Sequence, residues 1–215
     1  MIGATALLST LEMAEADRLT VAAGTSASRL MENAGRGVAR AIMQRWSARR
    51  IAVLCGAGNS GGDGFAAARM LVEAGWSATL ALLGTLEGLA GAAREHAERW
   101  RQTIAPLDPA AIDGAVLLVD ALFGAGLDRP LSGAARDTLA AAAALQIPII
   151  AVDIPSGVIG DTGESVSGVQ SVVTVTCFRK KPGHLLLPGR DLCGELQPRP
   201  LAGHRITWPT RTPTR

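Results

Sequence analysis

The chain is 215 residues long and 48% hydrophobic, with a formal net charge of +2. That length suits one α/β domain with a sizeable core better than two small domains. Charges of both signs are interspersed, which leaves no electrostatic footprint for nucleic acid, and three phenylalanines with no tyrosine make a poor base-stacking platform.

The three cysteines, Cys55, Cys177 and Cys193, are odd in number and lack metal-ligand spacing. A disulfide framework is therefore not expected, and a reducing compartment is. The opening MIGATALLSTLEMAEADR has neither a basic leader nor a long apolar core, so no signal peptide is expected. The apolar run over residues 139–152 is broken by Gln146 and Pro148. It reads as a helix followed by a strand, not as a membrane span. The expected location is the cytoplasm.

In chain order, two amphipathic helices open the sequence. The second follows GTS, with Ser26 or Ser28 as its cap, and sets Leu30, Ala34, Val38 and Ile42 four apart on one face. RIAVLCG reads as a strand and GGDGFAAARMLVEAG as a turn and helix ended by Gly75. A strand at ATLALLG, a helix at GLAGAAREHAERWRQ and a strand at GAVLLVDALFG come next. SGAARDTLAAAAAL is a helix capped by Ser132, and strands follow at IPIIAVDIPSG and SVVTVTCF. Uniformly apolar strands alternating with helices predict a mostly parallel central sheet covered on both faces. The fold expected is a Rossmann-like three-layer α/β/α sandwich with two extra N-terminal helices. Past Gly189 the pattern fades, and two prolines weaken an edge strand at GELQPRPLAG. Residues 1–197 are read as one domain and 198–215 as a loosely ordered tail.

Ligands of open parallel sheets bind beyond the carboxyl ends of the strands. Three such ends carry glycines and acids: GAGNSGGDG, DALFGAGLDRPLSG and DIPSGVIGDTG. Glycine lets a ligand approach the backbone, and a helix starting at Gly61 or Gly62 would aim free N–H groups at an anion. The first loop contains G-x-G-x-x-G, but the strand after it ends LALLGTLEG, with Glu87 well past the tip where a ribose-binding acid sits. That argues against ordinary hydride transfer, and the missing Gly-Lys-Ser/Thr excludes a P-loop.

These motifs, in this order, resemble the NAD(P)H-hydrate epimerase family, the N-terminal domain type of the bifunctional NAD(P)HX repair enzymes. GAGNSGGDGFAAARML is similar to the family's G-x-G-N-N-G-G-D-G signature, and the other two loops resemble its second and third. KPGHLLLPGRDLCGEL resembles the fourth, and MAEADRLTVAAGTSASRLMENAG the N-terminal helices. The resemblance covers about residues 8 to 196 and implies an isomerase that interconverts the R and S forms of hydrated NADH and NADPH. It also implies a homodimer, and a dehydratase, fused or separate, acting on the S form. By motif, Asn59, Ser60, Gly61, Gly62 and Asp63 would contact the dinucleotide, as would Gly124, Ala125, Gly126, Leu127, Asp128, Arg129 and Pro130. Asp153 would lie by the hydrated nicotinamide ring, and Ser60, Asp120 and Ser156 would hold a potassium ion. Ser60 departs from the family, which has Asn there.

Inverting a hydroxyl-bearing carbon beside a ring nitrogen needs a proton donor and acceptor. Asp153 is the first candidate and Asp120 the second, with Asp63 orienting the loop. Lys181 in KPG reads equally as facing phosphates or as solvated, Asn33 as a capping or packing residue, and His96, His184 and His204 as surface residues. The rival reading is a non-catalytic nucleotide- or partner-binding module. Such a module would be expected to lose acids at the site, yet Asp63, Asp120 and Asp153 are all present.

Overall fold

The structure, a computed structural model, describes residues 6–165 and 167–199. The chain begins with α1 (Thr10–Ala22), α2 (Ala27–Arg45), β1 (Arg50–Cys55), α3 (Asn59–Glu73), β2 (Ser77–Leu82) and α4 (Gly91–Glu98). It continues through β3 (Ile104–Pro106), β4 (Leu117–Ala121), α5 (Gly133–Ala144), β5 (Ile149–Val152), β6 (Val173–Cys177), α6 (Gly189–Leu192) and β7 (Glu195–Arg199). The seven strands form one sheet in the order β3-β2-β1-β4-β5-β6-β7. Every neighbouring pair is parallel. This is the doubly wound sandwich that the apolar strand pattern predicts.

Strand alternation divides the core. Ile51 and Val53 of β1, Leu117 and Val119 of β4, and Ile150 and Val152 of β5 turn to one face. There they meet Val38 and Ile42 of α2, Phe65 and Leu71 of α3, and Ala97 of α4. Ala52, Leu54, Leu118 and Ile149 turn to the other face, against Leu139 and Ala142 of α5 and the loop residues Leu127 and Leu131. The predicted stripe of Leu30, Ala34, Val38 and Ile42 is buried, and Ser26 caps α2 by accepting the Arg29 amide at 3.2 Å. Gly75, at φ +85°, ends α3 in a left-handed turn, with the Gly75 amide on the Val72 carbonyl and the Trp76 amide on that of Leu71. Among the described residues, no helix is long and apolar enough to cross a membrane.

The departures from the sequence expectation lie at the edges. β3, three residues ending in Pro106, is not apparent in the sequence because so short an edge strand carries no alternation. The helix expected over 88–102 is shorter, Gly91–Glu98, and follows a separate 3₁₀ turn at Leu86–Gly88. Ser132 stands at the N-cap of α5 but makes no side-chain capping bond. β7 forms despite Pro198, which an edge strand tolerates, and carries residues 198 and 199 into the sheet. The remainder of the expected tail, with His204, lies outside the described residues. His96 and His184, expected at the surface, are buried at 1% and 2% exposure. The His96 Nε2 lies 3.0 Å from the Ser28 carbonyl, joining α4 to the start of α2.

α2 crosses α3 closely. A Cβ at Gly35 would run into the Ala66 side chain and the Ala67 backbone, whereas one at Gly37 would only touch the Arg199 side chain at 3.4 Å. The same substitution should therefore have opposite signs two residues apart. Gly37→Ala is expected to stabilise by about 0.5–1 kcal/mol through helix propensity. Gly35→Ala is expected to destabilise by about 1–3 kcal/mol through overpacking. Urea-unfolding midpoints of the two variants check this.

Candidate active site

The sheet order turns outward between β1 and β4, whose following helices, α3 and α5, pack on opposite faces and leave a crevice at the strands' carboxyl ends. A cleft of about 930 Å³ occupies it. One wall is the start of α3, the second is the loop at residues 124–129, and the third comes from α1 through Met13 and Asp17. Asp153, Cys177 and Lys181 also line the cleft.

The glycines of GGDG shape the first wall without lining it. A Cβ at Gly61 would strike the Gly56 carbonyl, and one at Gly62 the Met31 side chain. Their absence lets α3 press against the end of β1 and against α2. The N-cap of α3 is Gly58, which has no side chain to cap the helix. The first-turn amides, which a helix cannot satisfy by itself, are thus left for a ligand. Of the expected substrate-binding residues, Asn59, Ser60, Asp63, Gly124, Ala125, Gly126, Leu127, Asp128, Arg129 and Asp153 line the cleft, whereas Gly61, Gly62 and Pro130 do not. The three loops meet at Gly124, where a Cβ would collide with Ser60 Oγ and come within 3.1 Å of Asp153 Oδ2.

Asp153 follows β5 directly and has φ +69°. The Ile154 amide donates to the Val152 carbonyl at 2.9 Å, closing a three-residue turn around it. For a residue other than glycine this is a strained conformation, of the kind found at functional sites. Its carboxylate accepts from the Ala125 amide at 3.0 Å, the Thr176 hydroxyl at 3.1 Å and the Lys181 ammonium. Burial alone would raise this carboxyl, but the Lys181 charge and these hydrogen bonds outweigh it and hold the pKa at about 2.

Asp63 stands in the opposite condition. Burial first, then the nearby carboxylates of Asp153 and Asp17, push its pKa well above the ordinary 3.8, against a weaker pull from Lys181. The cleft thus holds one carboxyl strongly biased to the charged form and another biased to the neutral form.

Asp120 lies beneath the cleft, 2% exposed, and does not line it. It accepts from the Ser156 amide at 2.8 Å, the Ser156 hydroxyl at 2.6 Å and the Leu122 amide at 3.3 Å. Ser156 Oγ in turn accepts the Phe123 amide at 3.0 Å, so this pair fastens the loop after β4 to the loop after β5. Burial raises the Asp120 carboxyl although these hydrogen bonds pull it down. Among the described residues, no three His, Cys, Asp or Glu side chains converge on a metal-sized space. Asp120 and Ser156 instead offer a small set of hard oxygen donors.

Sequence reasoning left Lys181 undecided and placed His184 wrongly. Lys181 is 3% exposed and paired with Asp153. The available signal was KPGH itself, which sets a cation and an imidazole three residues apart.

The chain matches the protein-family model described as "YjeF-related protein N-terminus" over residues 27–183. It belongs to that family. It is 42% identical over 199 residues to a Rhodobacter capsulatus protein named NAD(P)H-hydrate epimerase, covering 85% of this chain and 93% of that one. A Limosilactobacillus fermentum protein of the same name is 36% identical over 174 residues, covering 78% and 82%. A Thermofilum pendens protein named as a bifunctional NAD(P)H-hydrate repair enzyme is 40% identical over 192 residues, and the chain spans only 36% of its length. A yeast protein of known crystal structure shares the fold, with a TM-score of 0.72 at 23% identity over 84% of this chain and 83% of that one.

The raised pKa of Asp63 has a consequence for stability. A carboxyl with a higher pKa folded than unfolded costs stability as pH rises above its ordinary 3.8. Asp63→Asn removes that cost. The variant is expected to gain on the parent from about pH 4 upward, with a slope approaching about 1.4 kcal/mol per pH unit until the folded carboxyl itself ionises and the gain levels off, and to gain little below about pH 4. Urea unfolding on both sides of about pH 4 is the measurement.

Proposed function

We propose that the cleft epimerises NADHX and NADPHX at the hydroxyl-bearing carbon of the hydrated nicotinamide ring. The observation that carries this is Asp153: an ionised carboxylate held in a strained turn, facing a dinucleotide-sized cleft across from an acid biased to the neutral form. Family membership and the epimerase names of two relatives, of which the chain covers 93% and 82%, support the same reading.

In the chemistry proposed, the ring nitrogen's lone pair assists loss of the adjacent hydroxyl, or the ring opens there. In the first route an acid protonates the departing hydroxyl and a base takes a proton from the water that re-adds to the other face; in the second the base takes the hydroxyl proton as the carbonyl forms, the acid protonates the ring nitrogen, and the reverse closes the ring on the other face. Asp153 is assigned as the base. Asp63 is assigned as the acid in place of Asp120, because Asp63 lines the cleft and Asp120 does not. The free first-turn amides of α3 and the side chain of Arg129 would take the pyrophosphate.

The family resemblance also implies potassium, and the residues present fit it. Asp120 is a buried carboxylate whose hydrogen-bond partners are all neutral, with the Ser156 hydroxyl and the Phe123 carbonyl beside it. Ser60, Asp120 and Ser156 would hold the ion, which would supply the positive charge this carboxylate lacks and stiffen the loops above it. Because Ser60 replaces an Asn, its shorter side chain weakens the grip from the α3 side.

The dehydration step belongs to another domain or another protein, as in the bifunctional relative of which this chain spans about a third. Leu7, Leu11 and Val21 stay exposed on and before α1, apolar surface in keeping with a homodimer. Cys55, Cys177 and Cys193 are free, in keeping with the cytoplasm.

R-NADHX incubated with the protein and followed by chromatography should convert to the S form far faster than it does spontaneously. No acceleration would leave only a binding role. Asp153→Asn is expected to lower kcat by about 10²–10⁴ with the fold intact by circular dichroism. Replacing choline chloride by potassium chloride is expected to raise the parent's Tm by a few degrees, and Asp120→Asn to abolish that gain.

A further inference from the structure

We propose that His184 is a positioning residue for this reaction: its two ring nitrogens tie the Asp153 peptide to the Lys181 peptide and so set the Lys181 ammonium on the Asp153 carboxylate. The proposal rests on the epimerase reading for its kinetic consequences and on geometry for the rest.

The Lys181 amide donates to His184 Nδ1 at 2.8 Å. A ring nitrogen that accepts an N–H carries no proton, so the proton of the neutral ring sits on Nε2. Nε2 lies 2.7 Å from the Asp153 carbonyl oxygen and donates to it. This tautomer satisfies both contacts at once. The imidazolium would set an N–H against the Lys181 N–H. Burial favours the neutral ring and lowers the His184 pKa, against the opposing pull of the Asp153 carbonyl and carboxylate.

The carbonyl that His184 holds belongs to the strained residue. With φ at +69°, the Asp153 carbonyl leaves the ladder of the sheet, and His184 is its partner there. The Asp153 amide remains on the Val175 carbonyl at 2.8 Å, so both sides of the residue are pinned. The segment carrying His184 is itself wedged in place. The Gly183 amide donates to the Gly160 carbonyl at 2.7 Å, and a Cβ at Gly183 would meet the carbonyls of Ile159 and Gly160.

The result distinguishes the two carboxylate oxygens of Asp153. Oδ1 is taken by Lys181 Nζ and the Thr176 hydroxyl. Lys181 Nζ also donates to Thr176 Oγ at 3.1 Å, closing a three-membered cluster. Oδ2 has only the Ala125 amide and lies against Gly124, where the loops meet. Oδ2 is therefore the oxygen left for the substrate. The other titratable groups around this cluster are Asp63 from α3, Asp17 from α1, Cys177 from β6 and Cys193 just after α6.

His184→Phe keeps a ring of similar size and removes both nitrogens. The expected result is a kcat lower by about tenfold or more at nearly unchanged KM, with the acid limb of the pH–rate profile moved upward. Lys181→Met should move the same limb in the same direction, and the double variant should add little to either single one. His184→Gln, which keeps an acceptor and a donor, should recover part of the loss. Parent-like kcat per folded enzyme and an unmoved acid limb in His184→Phe would reduce His184 to a packing residue and overturn the proposal.

A readout independent of turnover separates this proposal from the epimerase reading. Nitrogen-15 shifts of the His184 ring in the parent should show a bare Nδ1 and a protonated Nε2 at neutral pH. The opposite tautomer or an imidazolium overturns the proposal even if the protein is an active epimerase. If the parent does not accelerate epimerisation, the functional reading fails. The nitrogen-15 result and the dependence of the carbon-13 titration of Asp153 on His184 then still decide whether His184 positions the pair.

Discussion

All the strands run in the same direction, and the rest of the molecule follows from that. A parallel sheet must be covered on both faces, so each crossover passes over the sheet and returns to the same end. The carboxyl ends of β1, β4 and β5 therefore lie side by side, and the loops after them meet although they are far apart in the chain. Where the winding reverses, between β1 and β4, α3 and α5 leave on opposite faces of the sheet. The cleft is the space that two opposite senses of winding leave open.

Acids brought to such a rim must be reconciled with an apolar interior, and this protein does so in three ways. Asp153 is charged and matched by a buried lysine, which also serves the Thr176 hydroxyl. Asp120 is surrounded by amide and hydroxyl donors and becomes a tie between two loops. Asp63 has neither arrangement and is pushed toward its neutral form by burial and by the charge of Asp153. A buried carboxyl without a partner is costly when ionised, and here that cost shifts Asp63 and Asp153 in opposite directions within one cleft.

Much of this was legible in the sequence because it is local. Hydrophobic period, caps and glycine punctuation mark α2, α3 and the central strands, and the Gly-Asp loops mark the rim. β3 was not legible because three residues on an edge show no alternation. The environments of the three acids are not legible for a related reason. Asp63, Asp120 and Asp153 have similar loop contexts in the sequence, and only their environments distinguish them: one lines the cleft without a counter-ion, one lies under the loops, and one faces a lysine from the segment after β6. His184 was read as a surface residue because both of its partners are backbone groups, which leave no mark in a sequence pattern.

The amino-acid sequence by itself determined the fold class, the rim on which the site lies and most of the side chains that line it. Each of those depends on spacing along the chain or on the direction of a parallel sheet. Only the tertiary structure decided which carboxyl is paired with a lysine, which oxygen of Asp153 that lysine takes and which histidine holds the Asp153 carbonyl. Charge state and hydrogen-bond direction depend on burial and on neighbours from β5, β6 and the loop after β6, and sequence distance carries no information about either.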